Sequence, residues 1–413
     1  MAASALPEDQ MGSRERASAG GAGEPAPEGP RCRAADASAG GPIRVAVVGS
    51  RAAPAHVPMF NELAQSNEIQ LSFVVQYDTR TAMVGPPAFD PRISYVVAGR
   101  NPGRIWHGLT RGDYEVLVIA GYSLAITRTS ITWAIWRRRP FVLWCESHLK
   151  KPRSWFVRLV KRLILPAIVK RAGAGIAISS WAADYLVHYG ARRNDVAVMP
   201  YLPEWPGGEV ECGGQQRLEL KSALGLAPVP MILWVGRMVD EKDLGVLLQA
   251  LAVLPNGVAW QMVFVGDGPN RAGLEAMAGR LKLLRHVQFA GTKGRAEVGA
   301  FYRAADVFVL PSTEETFGAV VPEAMAFGLP VVTTNAVGSS ADFVRDGSNG
   351  FIVAPHDAPA LQKALSRLLA DADLRCRMGL ASRAMLRGHS IQRNANSFMQ
   401  AVGWAMNKQP GER

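Results

Sequence analysis

The stretch LPSTEETFGAVVPEAMAFGLPVVTT, residues 310–334, constrains this chain more than any other. An apolar run at 306–310 reads as a buried strand that stops at Pro311-Ser312. A polar loop follows, then a short helix from about Ala319 to Phe327, which Gly328 ends; a second apolar strand starts at Pro330. Two of its three glutamates have seven residues between them, Glu315 in the loop and Glu323 in the helix. The neighbours of Glu323 three and four positions away are Ala319, Val320, Ala326 and Phe327, none of which pairs with a carboxylate. A buried carboxylate is costly without donors, so Glu323 either takes them from elsewhere, for which a pair of ribose hydroxyls would suit, or snorkels to water. Glu315 precedes a helix N-terminus, where open N–H groups and the dipole favour anions; it reads equally as a plain helix-start acid.

The rest of the chain repeats the same alternation. IRVAVVG from Ile43 is a β-branched strand ending at Gly49-Ser50. A helix at 57–65, strands at 71–76, 95–97 and 116–120, a helix at 127–136 and a strand at 141–144 follow. Strands alternating with helices imply an α/β fold with parallel, doubly wound sheets, in which the loops after the strands' carboxyl ends form the binding cleft. That rule puts 50–56, 121–123 and 146–148 on one rim. His148 is the one histidine directly after an expected strand, and a loop histidine is also commonly incidental. Residues 200–214, rich in Pro and Gly, read as a linker, and 217–224 as a helix before a second domain. There, a dry strand at 231–235 ends in Gly236-Arg237, with Lys242 five residues after the arginine. Further strands at 261–265 and 287–290 end in Gly266-Asp267-Gly268 and Gly291-Thr292. Asp267 reads as a turn residue.

At 413 residues the chain has room for two domains with real cores. Residues 1–41, poor in large apolar side chains, are expected to be disordered and are not a signal peptide. Four scattered cysteines (Cys32, Cys145, Cys212, Cys376) lack metal spacing and suit a reducing cytoplasm. No apolar run reaches the roughly 18–20 residues of a membrane span. Residues 43–205 hold 21 Lys/Arg against 10 Asp/Glu, an excess equal to the whole chain's net charge of +11. Much of it falls at 150–171, where Trp155, Phe156, Leu159, Leu163 and Ile164 are interleaved with Lys150, Lys151, Arg153, Arg158, Lys161, Arg162, Lys170 and Arg171, and no acid appears. Two readings stay open: a core-facing helix with a solvated basic face, and an interfacial helix on anionic lipid, where each basic residue contributes about 1 kcal/mol. No nucleic-acid-binding module is recognisable.

The opening stretch, with Glu315-Thr316-Phe317-Gly318 and Glu323-Ala324-Met325-Ala326-Phe327-Gly328-Leu329-Pro330-Val331-Val332, resembles the E-x7-E signature of retaining, family-4 glycosyltransferases of the GT-B fold. Gly236-Arg237 with Lys242 is similar to the family's Gly-Arg-x4-Lys element, and VLWCESH resembles a branch common among polysaccharide and glycoconjugate enzymes. Thr316 stands where Gly is usual, Asp342 where Glu is common, and Gly49-Ser50 replaces a first-loop Gly-Gly pair. The likeness spans roughly 43–405. It implies two Rossmann-like domains facing across a cleft: an acceptor-side domain at 42–203, a linker and first helix at 204–228, a nucleotide-sugar domain at 229–388, and a last helix within 389–413 that crosses back.

The resemblance also implies roles. Arg237 and Lys242 hold a diphosphate, Arg as a bidentate fork and Lys as a point charge. Glu323 takes the ribose hydroxyls, and Glu315 contacts the transferring sugar. Phe317 and Gly318 offer backbone N–H groups, and His148 reaches the sugar from the first domain. Gly236, Gly266, Gly291 and Thr292 lie along the nucleotide, with Gly49 and Ser50 in the first loop. The expected activity is retaining transfer of a hexosyl group from a UDP- or GDP-sugar to a glycan, lipid-linked or small-molecule hydroxyl, with no cofactor or metal, in the cytoplasm or at the inner face of its membrane. The alternatives are a non-catalytic nucleotide-sugar-binding subunit and a sugar-nucleotide epimerase.

Overall fold

A computed structural model of the chain describes residues 41–50, 56–77, 89–150, 154–203 and 214–408. The tail before Gly41, the first loop at 51–55 and most of the expected linker lie outside the described residues.

The first domain runs β1 (Ile43–Gly49), α1 (Val57–Gln65), β2 (Ile69–Val75), β3 (Ser94–Val97), α2 (Pro102–Gly112), β4 (Val116–Ala120), α3 (Ala125–Trp136), β5 (Phe141–Cys145), α4 (Trp155–Arg171), β6 (Ala174–Ala177), α5 (Ser180–His188) and β7 (Val196–Val198). Its seven strands are parallel, in the order β3-β2-β1-β4-β5-β6-β7. Val45 lies opposite both Leu71 and Val116, so the β-branched run of β1 is sealed on both sides at the centre of the sheet.

The second domain runs α6 (Gln215–Ala223), β8 (Met231–Val235), α7 (Leu244–Ala252), β9 (Gln261–Val265), α8 (Arg271–Arg280), β10 (Val287–Gly291), α9 (Arg295–Ala304), β11 (Val307–Leu310), α10 (Val320–Ala326), β12 (Val331–Thr334), α11 (Gly338–Phe343), β13 (Gly350–Val353), α12 (Ala358–Ala370) and α13 (Ala372–Arg387). The sheet order is β10-β9-β8-β11-β12-β13, again all parallel. In each sheet the chain reverses its direction of travel beside the first strand, between β1 and β4 and between β8 and β11. A switch point of this kind opens a crevice at the carboxyl edge.

The last helix, α14 (Ile391–Asn407), returns to the first domain. Fully buried Phe398 meets Phe60 of α1 edge-on at 5.6 Å, and the Asn394 side chain donates to the Pro200 carbonyl at 2.8 Å. Both sheets belong to one compact unit that begins at Pro42.

Two elements differ from the sequence reading. Helix α2 was not expected, although Asn101-Pro102 is a legible start: Asn101 Oδ1 accepts from the Arg104 N–H, Pro102 takes the first turn, and Ile105 and Leu109 bury one stripe. Helix α4 is not core-facing along its length. Only Leu165 and Val169 are buried, while Trp155, Phe156, Leu159, Leu163 and Ile164 are exposed. The cysteines are not all the unpaired thiols their scatter suggested: Cys145 is a buried free thiol and Cys376 is disulfide-bonded. Spacing along a chain does not report distance in space. Among the described residues no helix is long and apolar enough to cross a membrane.

Beneath the second sheet, Asp306 accepts from Lys221 Nζ at 2.6 Å, Arg217 Nη1 at 3.0 Å and the Met231 N–H at 2.8 Å. Lys221 is buried, and the desolvation that lowers its pKa is opposed by Asp306. Asp306→Ala strands that ammonium and is expected to cost about 3–5 kcal/mol in urea unfolding. Replacing Asp306 and Lys221 together with Leu and Met should restore most of the loss. Equal costs for the single and double variants would remove the buried charge as the cause.

Candidate functional site at the carboxyl edge of the second sheet

The loops after β8 and β11 meet. The Thr313 N–H donates to the Glu241 carbonyl at 2.8 Å, holding the Glu315 loop against the short 3-10 turn Asp240–Lys242. Lys242 Nζ and Glu315 Oε2 form an ion pair, both side chains about one-fifth exposed. Lys242 is therefore engaged by a carboxylate of the same loop cluster. Arg237 is exposed, and no carboxylate among the described residues pairs with it.

The Glu315 backbone is clamped on both sides. Its N–H donates to Ala336 O at 3.1 Å, and its carbonyl accepts from the Gly338 N–H at 3.0 Å. Gly318 turns the chain at φ +85°, where a Cβ would sit 3.0 Å from Val337 Cγ1 and 3.1 Å from Glu315 Cγ. Any side chain there would push the carboxylate aside. The Phe317 and Gly318 carbonyls accept from the Ser339 N–H and hydroxyl. Their own N–H groups donate to no acceptor among the described residues, which leaves them open ahead of α10. The Phe317 ring itself is buried, an anchor for this turn.

Glu323 sits in the first turn of α10. The sequence offered it no protein donor, but the Tyr302 hydroxyl, from α9, donates to Glu323 Oε2 at 2.9 Å. Burial raises the Glu323 carboxyl to a pKa of about 7, opposed by that hydrogen bond and by the Arg295 charge. The Tyr302 phenol is pushed well above its ordinary value by burial and by the same carboxylate.

The glycines after β8 and β9, and Gly291 at the end of β10, pack against one another. The Gly236 N–H donates to Val265 O at 3.0 Å and the Gly266 N–H to Gly291 O at 2.8 Å. A Cβ on Gly266 would stand 1.8 Å from Gly236 O. Gly266 is thus required for the close approach of two protein loops. Thr292 is exposed just beyond β10, and Asp267 is tied into its turn by Arg271 at 3.0 Å.

The first domain reaches this edge at three points. Lys150 Nζ, over the Trp181 ring at 3.6 Å, donates to the Asn335 carbonyl at 3.3 Å, one residue before the Ala336 that holds Glu315. His148, two residues before that lysine, is buried with its ring 5.6 Å from Trp181. Tyr201 donates to Glu146 Oε1 at 2.6 Å and packs edge-on to Phe317 at 5.2 Å. Asp342 of α11 accepts the Ser180 N–H at 3.0 Å, satisfying a free donor in the first turn of α5. So Glu315, Lys242, Phe317 and the His148 loop come together. Gly49 and Ser50 accept from the Gln76 and Tyr77 N–H groups on their own sheet. Buried His56, 4.5 Å from the Tyr201 ring, has its pKa lowered to about 3 by desolvation. Tyr201 and Tyr302 were missed. An aromatic in a Pro-rich linker was a legible signal for the first; nothing local marked the second. Among the described residues no group of three or more His, Cys, Asp or Glu could hold a metal ion.

Two parallel Rossmann-like sheets meeting at their carboxyl edges define a GT-B protein. Anabaena Alr3699/HepE in complex with UDP superposes with a TM-score of 0.71 at 19% identity, over 87% of this chain and 100% of that one. WaaG, a glycosyltransferase involved in lipopolysaccharide biosynthesis, does so at 0.62 and 18%, over 86% of this chain and 98% of that one. Residues 217–385, most of the second domain, match the family Glycosyl transferases group 1. The D-inositol 3-phosphate glycosyltransferase of Nocardia farcinica is 33% identical over 251 residues, 58% of this chain and 54% of that protein. The lipopolysaccharide core biosynthesis glycosyltransferase LpsE of Rhizobium meliloti is 37% identical over 152 residues, 37% of this chain and 43% of that protein. The chain thus spans about half the length of the curated relatives it matches.

The raised Glu323 pKa lies above the value for an unfolded chain. The folded protein therefore holds the extra proton between about pH 4.5 and 7, and the associated stability is present at the acid end and lost as pH rises. The loss is on the order of 3 kcal/mol. Melting curves of wild type and Glu323→Gln should diverge accordingly: wild type loses several degrees relative to the variant between pH 5 and 7.5. A constant difference across that range would remove Glu323 as the titrating group.

Proposed function

We propose that this protein transfers a hexosyl group, with retention of anomeric configuration, from a UDP- or GDP-sugar to a hydroxyl of a glycan, lipid-linked or small-molecule acceptor. The observation that carries this reading is the Lys242–Glu315 ion pair, with exposed Arg237 five residues before the lysine, at an edge that the first domain reaches through Lys150, Tyr201 and Ser180. A nucleotide diphosphate entering here would satisfy Arg237 and compete with Glu315 for Lys242. Its arrival would free the Glu315 carboxylate to face the sugar.

The glycosidic C–O bond then breaks, and the electron pair leaves on the diphosphate, where the two cations neutralise the growing charge. Glu315 stabilises the oxocarbenium-like sugar. The acceptor oxygen bonds to the anomeric carbon from the face the diphosphate leaves, and the acceptor's proton passes to the departing phosphate. Glu323 takes the ribose hydroxyls alongside Tyr302, and the N–H groups of Phe317 and Gly318 serve the phosphate side. His148 lines the sugar from the first domain, while Gly236, Gly291 and Thr292 border the nucleotide. Because Arg237 and Lys242 supply the positive charge, no metal is required. HepE in complex with UDP supports the donor class, and the matched relatives, one a D-inositol 3-phosphate glycosyltransferase and one a lipopolysaccharide core biosynthesis glycosyltransferase, support glycosyl transfer. The reading places the reaction in the cytoplasm or at the inner face of its membrane.

Donor hydrolysis without acceptor tests it. A panel of UDP-, GDP- and dTDP-sugars should yield nucleotide release from one donor, reduced by about 100-fold or more in Arg237→Ala and in Glu315→Ala. EDTA should leave the rate unchanged. Donor binding without turnover on any acceptor would favour the non-catalytic subunit, and isomerised donor without nucleotide release the epimerase. Activity abolished by chelator and restored by Mn²⁺ would overturn the metal-free mechanism.

A further inference from the structure

Where the chain passes between the domains, a cavity of about 310 Å³ opens beside the end of α13. Leu202 and Pro203, on the way out of the first domain, line it together with His389 and Ser390, on the way back. Ala326, the last residue of the helix that carries Glu323, lines it as well. None of the residues assigned to the donor does. The volume is at the lower end of the roughly 300–1,000 Å³ of small-ligand sites.

Every ionisable side chain lining the cavity is basic: Arg383, Arg387 and His389. Arg383 and Arg387 lie one turn apart on α13, so their charges repel and both guanidiniums can reach one ligand. Arginines near helix ends commonly serve the carbonyls left open there. Arg375 does so for Leu368 and Leu369 at 2.6 and 3.0 Å, and Arg393 for Gly388 at 2.6 Å. Arg383 and Arg387 make no hydrogen bond or ion pair among the described residues. The carboxylate whose charge reaches His389 is Asp342, and it already accepts the Ser180 N–H.

The pair stands on a fixed base. The hydroxyl of buried Ser382 donates to the Leu329 carbonyl at 2.8 Å, and a Cβ on Gly379 would stand 2.0 Å from Gly328 O, so α13 is held hard against the end of α10. A phosphate monoester carries about two negative charges and three acceptor oxygens, which suits two guanidinium forks a turn apart. We propose that this cavity binds a phosphate group, free or as the monoester of a small molecule, gripped by Arg383 and Arg387 with His389 beside them. Its occupant would touch both chain crossings and the end of α10, and its binding does not depend on turnover.

Isothermal titration calorimetry of the full chain tests this, with inorganic phosphate, glycerol 3-phosphate and glucose 6-phosphate as titrants at constant ionic strength. The donor cleft also offers cations, so each titration is run in wild type and in Arg237→Ala. A binding event should survive Arg237→Ala and weaken about tenfold or more in Arg383→Gln and in Arg387→Gln. Arg377→Gln, on the same helix but outside the cavity, should leave it unchanged. Tighter binding of an ester than of inorganic phosphate assigns the cavity to a phosphorylated small molecule, and equal binding to the ion itself. Melting temperatures without phosphate should match wild type, since neither arginine has a protein partner to lose. No binding in Arg237→Ala would overturn the site. So would binding that Arg383→Gln and Arg387→Gln leave intact, or that Arg377→Gln weakens equally. Loss of donor hydrolysis with this binding intact would count against the donor reading alone.

Discussion

A parallel strand cannot be followed by a hairpin; the chain must cross back over the sheet before the next strand begins. All the strands in both sheets obey this constraint, and most of the architecture follows from it. Every loop that leaves a strand's carboxyl end emerges on the same edge, so residues far apart in sequence are delivered to one place. Arg237, Lys242 and Glu315 converge for this reason, and so do the glycines after β8 and β9 and at the end of β10. Buried on both faces, the strands must be nearly uniform in apolar character, which is why they were easy to find.

The carboxylates illustrate how position decides chemistry. Asp306 has three protein donors and is a structural anchor under the sheet. Asp342 spends itself on an N–H group of the other domain. Glu315 has a single cation, Lys242, as side-chain partner among the described residues. Glu323 has one neutral donor and is largely out of water, so its charge is only half secured near neutral pH. The acids with incomplete satisfaction are the pair at the carboxyl edge. A buried charge left short of donors is tolerated where a ligand can complete them.

Much of this was legible beforehand because the signals are local. Helix α1 and strands β4, β8, β9 and β12 follow directly from β-branched runs, Gly stops and Pro starts. The candidate site was legible as motifs, Gly236-Arg237 with Lys242 and Glu315 with Glu323. What escaped depended on distance. Tyr302 reaches Glu323 across 21 residues, Tyr201 links Glu146 to Phe317, and Lys150 meets Asn335 from the other domain. None of these pairs shares a helical or strand period. Helix α2 was the exception, a local signal of Asn-Pro and two apolar residues four apart that went unread.

The sequence by itself determined the element types, the doubly wound class, and which charged residues stand at strand ends, because these rest on periodicity and backbone sterics within a few residues. The tertiary structure alone decided the rest. It paired Lys242 with Glu315, packed Gly266 against the Gly236 carbonyl, and supplied Tyr302 to Glu323. It also turned the tryptophan and leucines of α4 outward. An amphipathic pattern specifies that a helix has faces, but which face meets the core depends on the room left by packing against the neighbouring elements. That room exists only once the sheet has formed.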